Sequence, residues 1–370
     1  MSPAWGAYWM PRALHPLAWW MWALGLTVAA SRTTNPLLLG AILGVATWVV
    51  LGRRSDAPWA SAFRIYVIAG ALVVGIRVVF RIVFGGAQPG HVLVRLPEIP
   101  LPDVAAGVNL FGAVTAESLL SGFYDGLRLA TMLICLGAAN ALANPRRLLR
   151  AMPPALHEVS TAVVVAISVF PQLAESVVRV RRARKLRPGG IERRLSALRS
   201  VVVSVLEDAM DRSLLLAASM DSRGYGRSGN RSRATTVLSG ACMVAGLAGM
   251  AIGAYALLDG TAPRQLATPV LIGAIALGVV GIALSGKGVE RTCYRPDQWR
   301  LAELVTAGSG LAAGMLLTLT TRIDPSNLNP SIQPLTWPQL SWLPVAGILA
   351  ALMPAFLTPA AANVEAATPV

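Results

Sequence analysis

The residue types that could carry chemistry in this chain are three histidines, three cysteines and several well-placed arginines. The histidines are isolated and lack the spacing of metal ligands: His15, His91 and His157. The cysteines lie too far apart for a metal site or a disulfide framework: Cys135, Cys242 and Cys293. Nor does the sequence contain a Gly-x-Ser-x-Gly, paired-carboxylate or cysteine–histidine arrangement. It therefore predicts neither an enzyme nor a bound metal or cofactor.

A glycine-rich stretch, "GIALSGKG" at 281–288, has the glycine and lysine spacing of a phosphate-binding loop as far as Lys287. It has Gly288 where a serine or threonine would hold magnesium, and it ends an apolar run rather than following a strand. We therefore expect that this chain does not bind ATP.

Two arginines end two consecutive helical patterns, which predicts a role in binding. Arg223, within "AASMDSRGYGR", ends an amphipathic pattern over about 192–222, and Gly224 supplies the left-handed helix stop. Arg184, within "ARK", ends the preceding pattern just before "RPGG". The helix dipole favours a cation at such an end by ~0.3–1 kcal/mol, which explains one arginine but not two in succession. Two interpretations remain open: docking of a soluble partner, or basic helices that are solvated or contact lipid headgroups.

The composition indicates where these helices lie. The chain of 370 residues is 55% hydrophobic and 14% charged, whereas soluble domains carry about a quarter charged residues. It is therefore predicted to be an integral membrane protein. The net charge is +14, and residues 144–233, with 17 Lys or Arg and 7 Asp or Glu, supply +10 of it. Nucleic-acid binding would require aromatic residues among these cations, and Tyr225 alone lies near them, so we predict a cytoplasmic segment and no nucleic-acid partner.

Apolar runs predict an all-α integral membrane protein with about eight transmembrane helices and a cytoplasmic pair of long amphipathic helices. Basic connections at 52–64 and 286–300, and an almost cation-free one at 85–121, place both termini of this multi-pass protein in the cytoplasm. The predicted spans are about 17–31, 35–51, 61–84, 122–143, 234–258, 266–285, 301–320 and 340–358. The predicted segments are 1–143 with four spans, 144–233 as the cytoplasmic or interfacial segment, 234–290 with two spans, and 291–370 with two more.

Two features inside the apolar regions need separate interpretation. A full crossing by residues 155–178 would carry the following arginines to the outside, so we predict that this run, short and interrupted by Pro171, does not cross fully. It is expected to lie shallow at the inner interface or to pack as a bent helix under the bundle. Arg128 lies within a predicted span, where an ionisable group is costly. We predict that it snorkels or pairs with Glu117 or Asp125 as part of the bundle's structure.

At these residues the sequence resembles the transmembrane T component (EcfT/CbiQ-type) of energy-coupling factor (ECF) transporters, including the CbiQ-type proteins of cobalt uptake systems. The resemblance covers about 10–290 and rests on "LHPLAWWMW" and "TNPLLLGAIL" near the start, "YDGLRLATMLICLG" in the fourth span and, above all, "MDSRGYG". It implies a non-catalytic subunit of the cell membrane. Such a subunit couples two cytoplasmic ATP-binding cassette ATPases to a small membrane-embedded substrate-binding subunit, for uptake of a metal ion or a vitamin.

The resemblance also implies which residues make the coupling contacts, because the motif arginines of the family enter grooves on the ATPases. The matching positions here are Ala183, Arg184, Lys185, Ser222, Arg223 and Gly224. Lys185 departs from the glycine usual in the family. Residues 301–358 lie beyond the family's usual end, and they either extend the bundle or replace contacts with the substrate-binding subunit. The alternative function is a non-transport membrane scaffold whose basic helices bind anionic lipid or a cytoplasmic partner.

Overall fold

The structure, a computed structural model, is mostly helical. It describes residues 11–56, 58–84, 90–97, 99–100, 109–185, 194–222, 224, 232–258, 264–286 and 297–360. In chain order its helices are α1 (Pro16–Ser31), α2 (Pro36–Arg53), α3 (Phe63–Phe84), α4 (Ala116–Leu142), α5 (Pro145–Arg150), α6 (His157–Lys185), α7 (Arg194–Ser222), α8 (Arg233–Leu258), α9 (Arg264–Gly286), α10 (Leu301–Ile323), α11 (Pro325–Leu328), α12 (Trp342–Ala350) and α13 (Met353–Leu357). Short 3-10 turns cover Pro58–Ala62 and Pro154–Leu156.

The chain forms two compact units. The first consists of Met1–Leu148 together with Asp297–Val370, and the second of Leu149–Pro296. Within the first unit, α1 packs against α4 and α10, while α12 packs against α10 and α2. Within the second, α6 packs against α7, and α8 packs against α9. The C-terminal extension therefore folds with the N-terminal helices, which is the first of the two predicted alternatives for it.

Capping side chains begin α1, α2 and α5. Asn35 Oδ1 accepts a hydrogen bond from the Leu37 amide at 3.0 Å, just before α2. His15 Nδ1 accepts one from the Leu17 amide at 3.2 Å, just before α1. Asn144 caps α5 in the same way. In each case a proline follows the capping residue, because its fixed φ suits the first helical position.

Seven helices of the described chain are long and apolar enough to cross a membrane. They are Pro36–Arg53, Trp59–Phe84, Ala116–Leu142, Val159–Ala183, Arg233–Leu258, Gln265–Gly286 and Leu301–Ile323. The set differs from the eight predicted spans at three places. α1 has 16 residues, shorter than the ~20 that span a bilayer untilted. The last predicted span is divided between α12 and α13, and the run near 155–178 qualifies although it was predicted not to cross.

Pro171 interrupts the apolar run of the sequence but does not end the helix. α6 continues through Pro171 as one helix of 29 residues. A proline removes one hydrogen bond and crowds the preceding turn, but apolar helices of membrane proteins tolerate it when their remaining bonds are kept. Length and composition therefore permit α6 to cross a membrane, and its actual depth remains a prediction.

α1 and α10 run parallel in the first unit. Near their N-terminal ends, Arg12 pairs with Glu303, and past their C-terminal ends the Thr33 hydroxyl donates to the Leu328 carbonyl at 2.6 Å. Between these contacts the two helices touch through small residues, with Gly310 against the backbone of Trp22. If both helices span a membrane in the same direction, the chain must cross that membrane an even number of times between the C-terminal end of α1 and the C-terminal end of α10.

Two short antiparallel strand pairs lie in the connection between α3 and α4, where no strand was predicted. β1 (Val92–Arg95) pairs with β4 (Ala113–Thr115), and β2 (Ile99–Pro100) pairs with β3 (Asn109–Leu110). β4 leads directly into α4, whose first turn is capped by Thr115 through the Ser118 amide at 3.2 Å. The strands thus fix the start of α4.

Candidate functional site

The first arginine motif lies in the last turn of α6. Ala183 is exposed, as are the nearby Arg181 and Arg182. Arg184 and Lys185 are the last two residues of the helix, and their side chains lie outside the described part of the structure. The end of α6 therefore presents cations at its surface, where the helix dipole stabilises them.

The second motif follows α7. Ser222 is the last residue of this helix, and its exposed side chain donates to the Ser219 carbonyl at 2.9 Å. Gly224 has φ +77, and its amide donates to the Asp221 carbonyl at 2.9 Å. The predicted left-handed stop at Gly224 is confirmed, because a residue with a Cβ adopts this conformation only at a cost. Arg223 lies outside the described residues, so its placement stays a prediction.

A cluster of four polar side chains, which we name the polar joint, connects α6 to α7. It consists of Gln172 and Ser176 from α6, and Asp208 and Arg212 from α7. The Ser176 hydroxyl donates to Asp208 Oδ2 at 2.7 Å. Arg212 Nε donates to Asp208 Oδ1 at 3.1 Å, and Arg212 also donates to Gln172 Oε1 at 3.4 Å. Ser176 is only 2% exposed, so its hydroxyl depends on this partner.

Electrostatics keep the joint charged at neutral pH. The hydrogen bond from Ser176, and then that from Arg212, hold the pKa of the Asp208 carboxyl below its ordinary value. The guanidinium of Arg179 acts in the same direction from 4.0 Å. Sequence reasoning missed the joint as a site. Asp208 and Arg212 have the i, i+4 spacing of a helical ion pair, but only the fold shows that they face Ser176 and Gln172.

The predicted pair between Arg128 and Glu117 does not form. Arg128 donates instead to the backbone carbonyl of Ser31, at the end of α1. Carbonyl groups in the last turn of a helix lack an intrahelical donor, so the guanidinium fills an open position. Arg128 therefore connects α4 to α1, as expected for a structural role, although through a different partner from the predicted ones.

The acidic side chains proposed for that pair have other partners. Glu117 Oε2 accepts a hydrogen bond from the His91 amide at 2.9 Å, and its Oε1 lies 2.9 Å from His91 Nδ1. Asp125 lies 3.6 Å from the guanidinium of Arg81. Glu117 thus anchors the connection before α4, and Asp125 helps to join α3 to α4. Sequence spacing could not distinguish these partners, because His91 and Arg81 belong to distant segments.

The described groups at the two helix ends can contribute to the binding of a partner. Within the ranges that the structure describes, no three His, Cys, Asp or Glu side chains come together as a metal site would require. Around the two helix ends the described groups are guanidinium, hydroxyl and backbone groups, together with the exposed carboxylate of Asp221. These can hold a carboxylate-rich or polar partner surface through charge-assisted hydrogen bonds.

The sequence of this chain matches the model of a known protein family. The profile of CbiQ, described as cobalt transport protein, matches residues 10–235 of the chain. This chain belongs to the CbiQ family of cobalt transport proteins. The CbiQ match begins before α1 and ends within the first turn of α8, so it includes both arginine motifs and the polar joint. No curated protein matches the chain.

Membership has direct consequences for class and location. The CbiQ family is one of membrane transport components and not of enzymes. Together with the seven apolar helices, it identifies a multi-pass membrane protein that acts within a transporter complex. Helices α9 to α13 lie outside the CbiQ match, and four of them belong to the extension that packs in the first unit.

Proposed function

We propose that this CbiQ family member is the transmembrane energy-coupling subunit of an ECF-type importer. Its partners would be two cytoplasmic ATP-binding cassette subunits, which bind the ATP, and a small membrane-embedded substrate-binding subunit. The observation that carries the proposal is the pair of long helices, α6 and α7, that end at the two arginine motifs inside the CbiQ match. Each has 29 residues, about 43 Å at 1.5 Å per residue, long enough to act as a lever.

The arginines suit docking into an acidic groove. A guanidinium carries hydrogen-bond donors in a fixed, planar arrangement that matches the two oxygens of a carboxylate. A residue at the end of a helix is accessible to a partner protein. Ala183 and Ser222 beside them are small and exposed, so a partner surface can approach closely. We therefore assign Ala183, Arg184, Lys185, Ser222, Arg223 and Gly224 to the contact with the ATPases.

The first unit supports a cytoplasmic position for both chain ends. The Arg12 amide donates to the Ala360 carbonyl at 3.1 Å, so the beginning and the end of the described chain lie on the same side of that unit. Between the ends of the parallel helices α1 and α10, the other candidate spans are α2, α3, α4, α8, α9 and α10. If each of these six crosses the membrane once, α6 and α7 together must also cross it an even number of times. If α7, which is not among the helices apolar enough to span, does not cross, then α6 does not cross either, and both motifs lie on the proposed side of the ATPases.

Cobalt is the first substrate to test because the family is described by it. The energy-coupling subunit touches the substrate only through the substrate-binding subunit. Other transition-metal ions and vitamins therefore belong in the same uptake assay.

A second candidate function is favoured by the exposed arginines of α6. Arg181 and Arg182 are exposed near the end of the helix, and such cations attract anionic headgroups. On this alternative the chain is a membrane scaffold that binds lipid, and no single arginine is special. Binding would then depend on total charge and weaken steadily as salt is added.

The test is co-purification from native membranes combined with cobalt uptake. Wild-type protein is compared with the double variant Arg184→Glu/Arg223→Glu and with a matched control, Arg181→Glu/Arg182→Glu, which makes the same change in charge. Proteins that co-purify are identified by mass spectrometry. We expect two ATPases with the wild type and with the control, and loss of both ATPases and uptake in the motif variant.

The other outcomes are equally informative. Equal loss in both double variants, with binding that depends on salt, would favour the lipid scaffold. Absence of any ATPase from the wild-type sample would show the proposal to be wrong. Arg223→Lys separates the two functions further, because a lysine keeps the charge but not the forked geometry. Uptake should fall in that variant while binding to anionic vesicles stays unchanged.

A further inference from the structure

The contact between α6 and α7 has an unusual composition. Among the described residues of these two helices, the buried side chains are Ser160 and Ser176, and neither is apolar. Packed helices are normally held by buried apolar side chains. Apolar side chains of both helices, among them Leu173, Val177 and Val205, are only half-buried, so polar groups contribute to the position of the contact. The described polar groups that connect the two helices are those of the polar joint and Arg179.

The polar joint crosses between the helices twice. Ser176 on α6 donates to Asp208 on α7, and one turn further along, Arg212 on α7 donates back to Gln172 on α6. Arg212 also binds Asp208, so three hydrogen bonds link the four side chains in series, from Ser176 through Asp208 and Arg212 to Gln172. A single contact would allow the helices to rotate about it. Two contacts a turn apart oppose both rotation and sliding.

Asp208 is the centre of this arrangement. Both of its carboxylate oxygens are used, one by Ser176 and one by Arg212, and Arg179 lies 4.0 Å from the first of them. Hydrogen bonds to an ionised carboxylate are roughly twice as strong as neutral ones. Removing the carboxylate would leave the buried Ser176 hydroxyl without its acceptor and release Arg212 from its fixed orientation.

We propose that Asp208 is a positioning residue that fixes where α6 crosses α7, so that the two arginine-bearing ends move as one body. The inference rests on the proposed coupling function. Arg184 lies 8 residues beyond Ser176, and Ser222, which precedes Arg223, lies 14 residues beyond Asp208, about 12 Å and 21 Å along the helices. With arms of this length, a tilt of about 10° at the joint shifts the second end by about 4 Å. If the angle between α6 and α7 could change freely, a movement of the ATPases would change that angle and would not reach the rest of the protein. A fixed angle makes both helices move together with the ATPases.

The experiment measures the joint and the transport separately. Spin labels are attached to cysteines introduced at the exposed positions Val178 and Ser219, with the three native cysteines replaced by alanine, and the distance distribution between the labels is recorded in the intact complex. Asp208→Ala is compared with Glu207→Ala, which removes the exposed neighbouring carboxylate and makes the same change in charge. Cobalt uptake and co-purifying ATPases are measured on the same samples.

We expect Asp208→Ala to broaden the distance distribution and to lower uptake about tenfold, with the ATPases still bound, because hydrogen bonds to a charged group are lost. Glu207→Ala should leave both measurements unchanged. Asp208→Asn keeps an acceptor for Ser176 and should fall between the two. A narrow distribution in Asp208→Ala would overturn the proposal, and so would a broad one with normal uptake.

A covalent link between α6 and α7 tests whether restoring the lost contact restores transport. Ser176→Cys/Asp208→Cys, in a chain with no other cysteine and connected by a short, reducible bis-methanethiosulfonate reagent, should regain the uptake, and reduction should abolish it again. A connected protein that binds ATPases but transports nothing would show that the helices must slide. If the wild type neither binds ATPases nor takes up cobalt, the proposed function fails, while the label distances still decide whether Asp208 fixes the crossing.

Discussion

At the scale of single residues, buried polar groups hold the ends of the first unit together. Arg12 donates to both oxygens of Glu303, at 2.5 and 3.0 Å, and the Glu303 side chain is only 1% exposed. The same carboxylate accepts the Arg300 amide at 3.1 Å and so caps α10. Asn35 is also buried, and its amide donates to the Asn327 and Gln339 carbonyls. These contacts join the N-terminal segment to the extension.

Replacing Glu303 tests this role. We expect Glu303→Ala to destabilise the first unit by about 2–3 kcal/mol, because a charged hydrogen-bond pair and a helix cap are both lost. Thermal unfolding in detergent, followed by intrinsic tryptophan fluorescence, measures the change. The control Glu207→Ala removes an exposed carboxylate and should unfold at the wild-type temperature. Equal stability of the two variants would contradict this account.

At the scale of elements, the α1–α10 contact depends on the absence of side chains. A Cβ on Gly310 would lie 2.3 Å from the Trp22 Cα, and one on Gly25 would lie 2.1 Å from the Gly310 carbonyl oxygen. Small residues allow helix backbones in membranes to approach closely, where van der Waals packing rather than the hydrophobic effect holds them together. The pairing of these two helices is therefore set by glycine positions.

A glycine pair within α10 gives a matched comparison. Gly310→Ala must push α1 and α10 apart, and we expect a loss of about 1–3 kcal/mol, as for other overpacked sites. Gly308 lies two residues earlier in the same helix and has open space where a Cβ would stand. Gly308→Ala should be neutral or stabilise by up to about 1 kcal/mol through helix propensity. Unfolding temperatures that changed alike in both variants would refute the close contact.

At the scale of the whole molecule, the extension outside the CbiQ match is built into the first unit rather than appended to it. Trp22 Nε1 donates to the Ala351 carbonyl at 2.9 Å, and Arg53 donates to the carbonyls of Pro354 and Ala355. These partners lie on or beside α12 and α13. Without them, the buried faces of α1 and α2 would meet lipid or water, and their polar groups would lose their acceptors.

Truncation tests whether the first unit depends on the extension. A chain that ends at residue 296 should be degraded or aggregate, because it loses these buried contacts and native proteins are stable by only roughly 5–15 kcal/mol. In the control, residues 1–296 and residues 297–370 are expressed together as two separate polypeptides. The chain is then divided at the same place, but no residue is missing. Size-exclusion chromatography in detergent should give a single folded species for the control only. A monodisperse truncated chain would show the extension to be dispensable.

The sequence by itself determined the class of the protein and most of its helices. High hydropathy and few charges require a membrane environment, and the capping residues before prolines place the starts of α1, α2 and α5, because these signals act within a few neighbouring residues. The two long helices and the glycine stop after the second were also predicted from periodicity and local chemistry. The resemblance carried by "MDSRGYG" agrees with the CbiQ match.

Only the tertiary structure decided which distant groups meet. The sequence offered Glu117 and Asp125 as partners for Arg128, but the fold directs Arg128 to Ser31 and assigns the acids to His91 and Arg81. The continuity of α6 through Pro171, the packing of the extension and the polar joint were likewise beyond local signals. A buried polar group takes whichever partner the packed helices bring within about 3 Å, and that proximity is a property of the whole arrangement of helices.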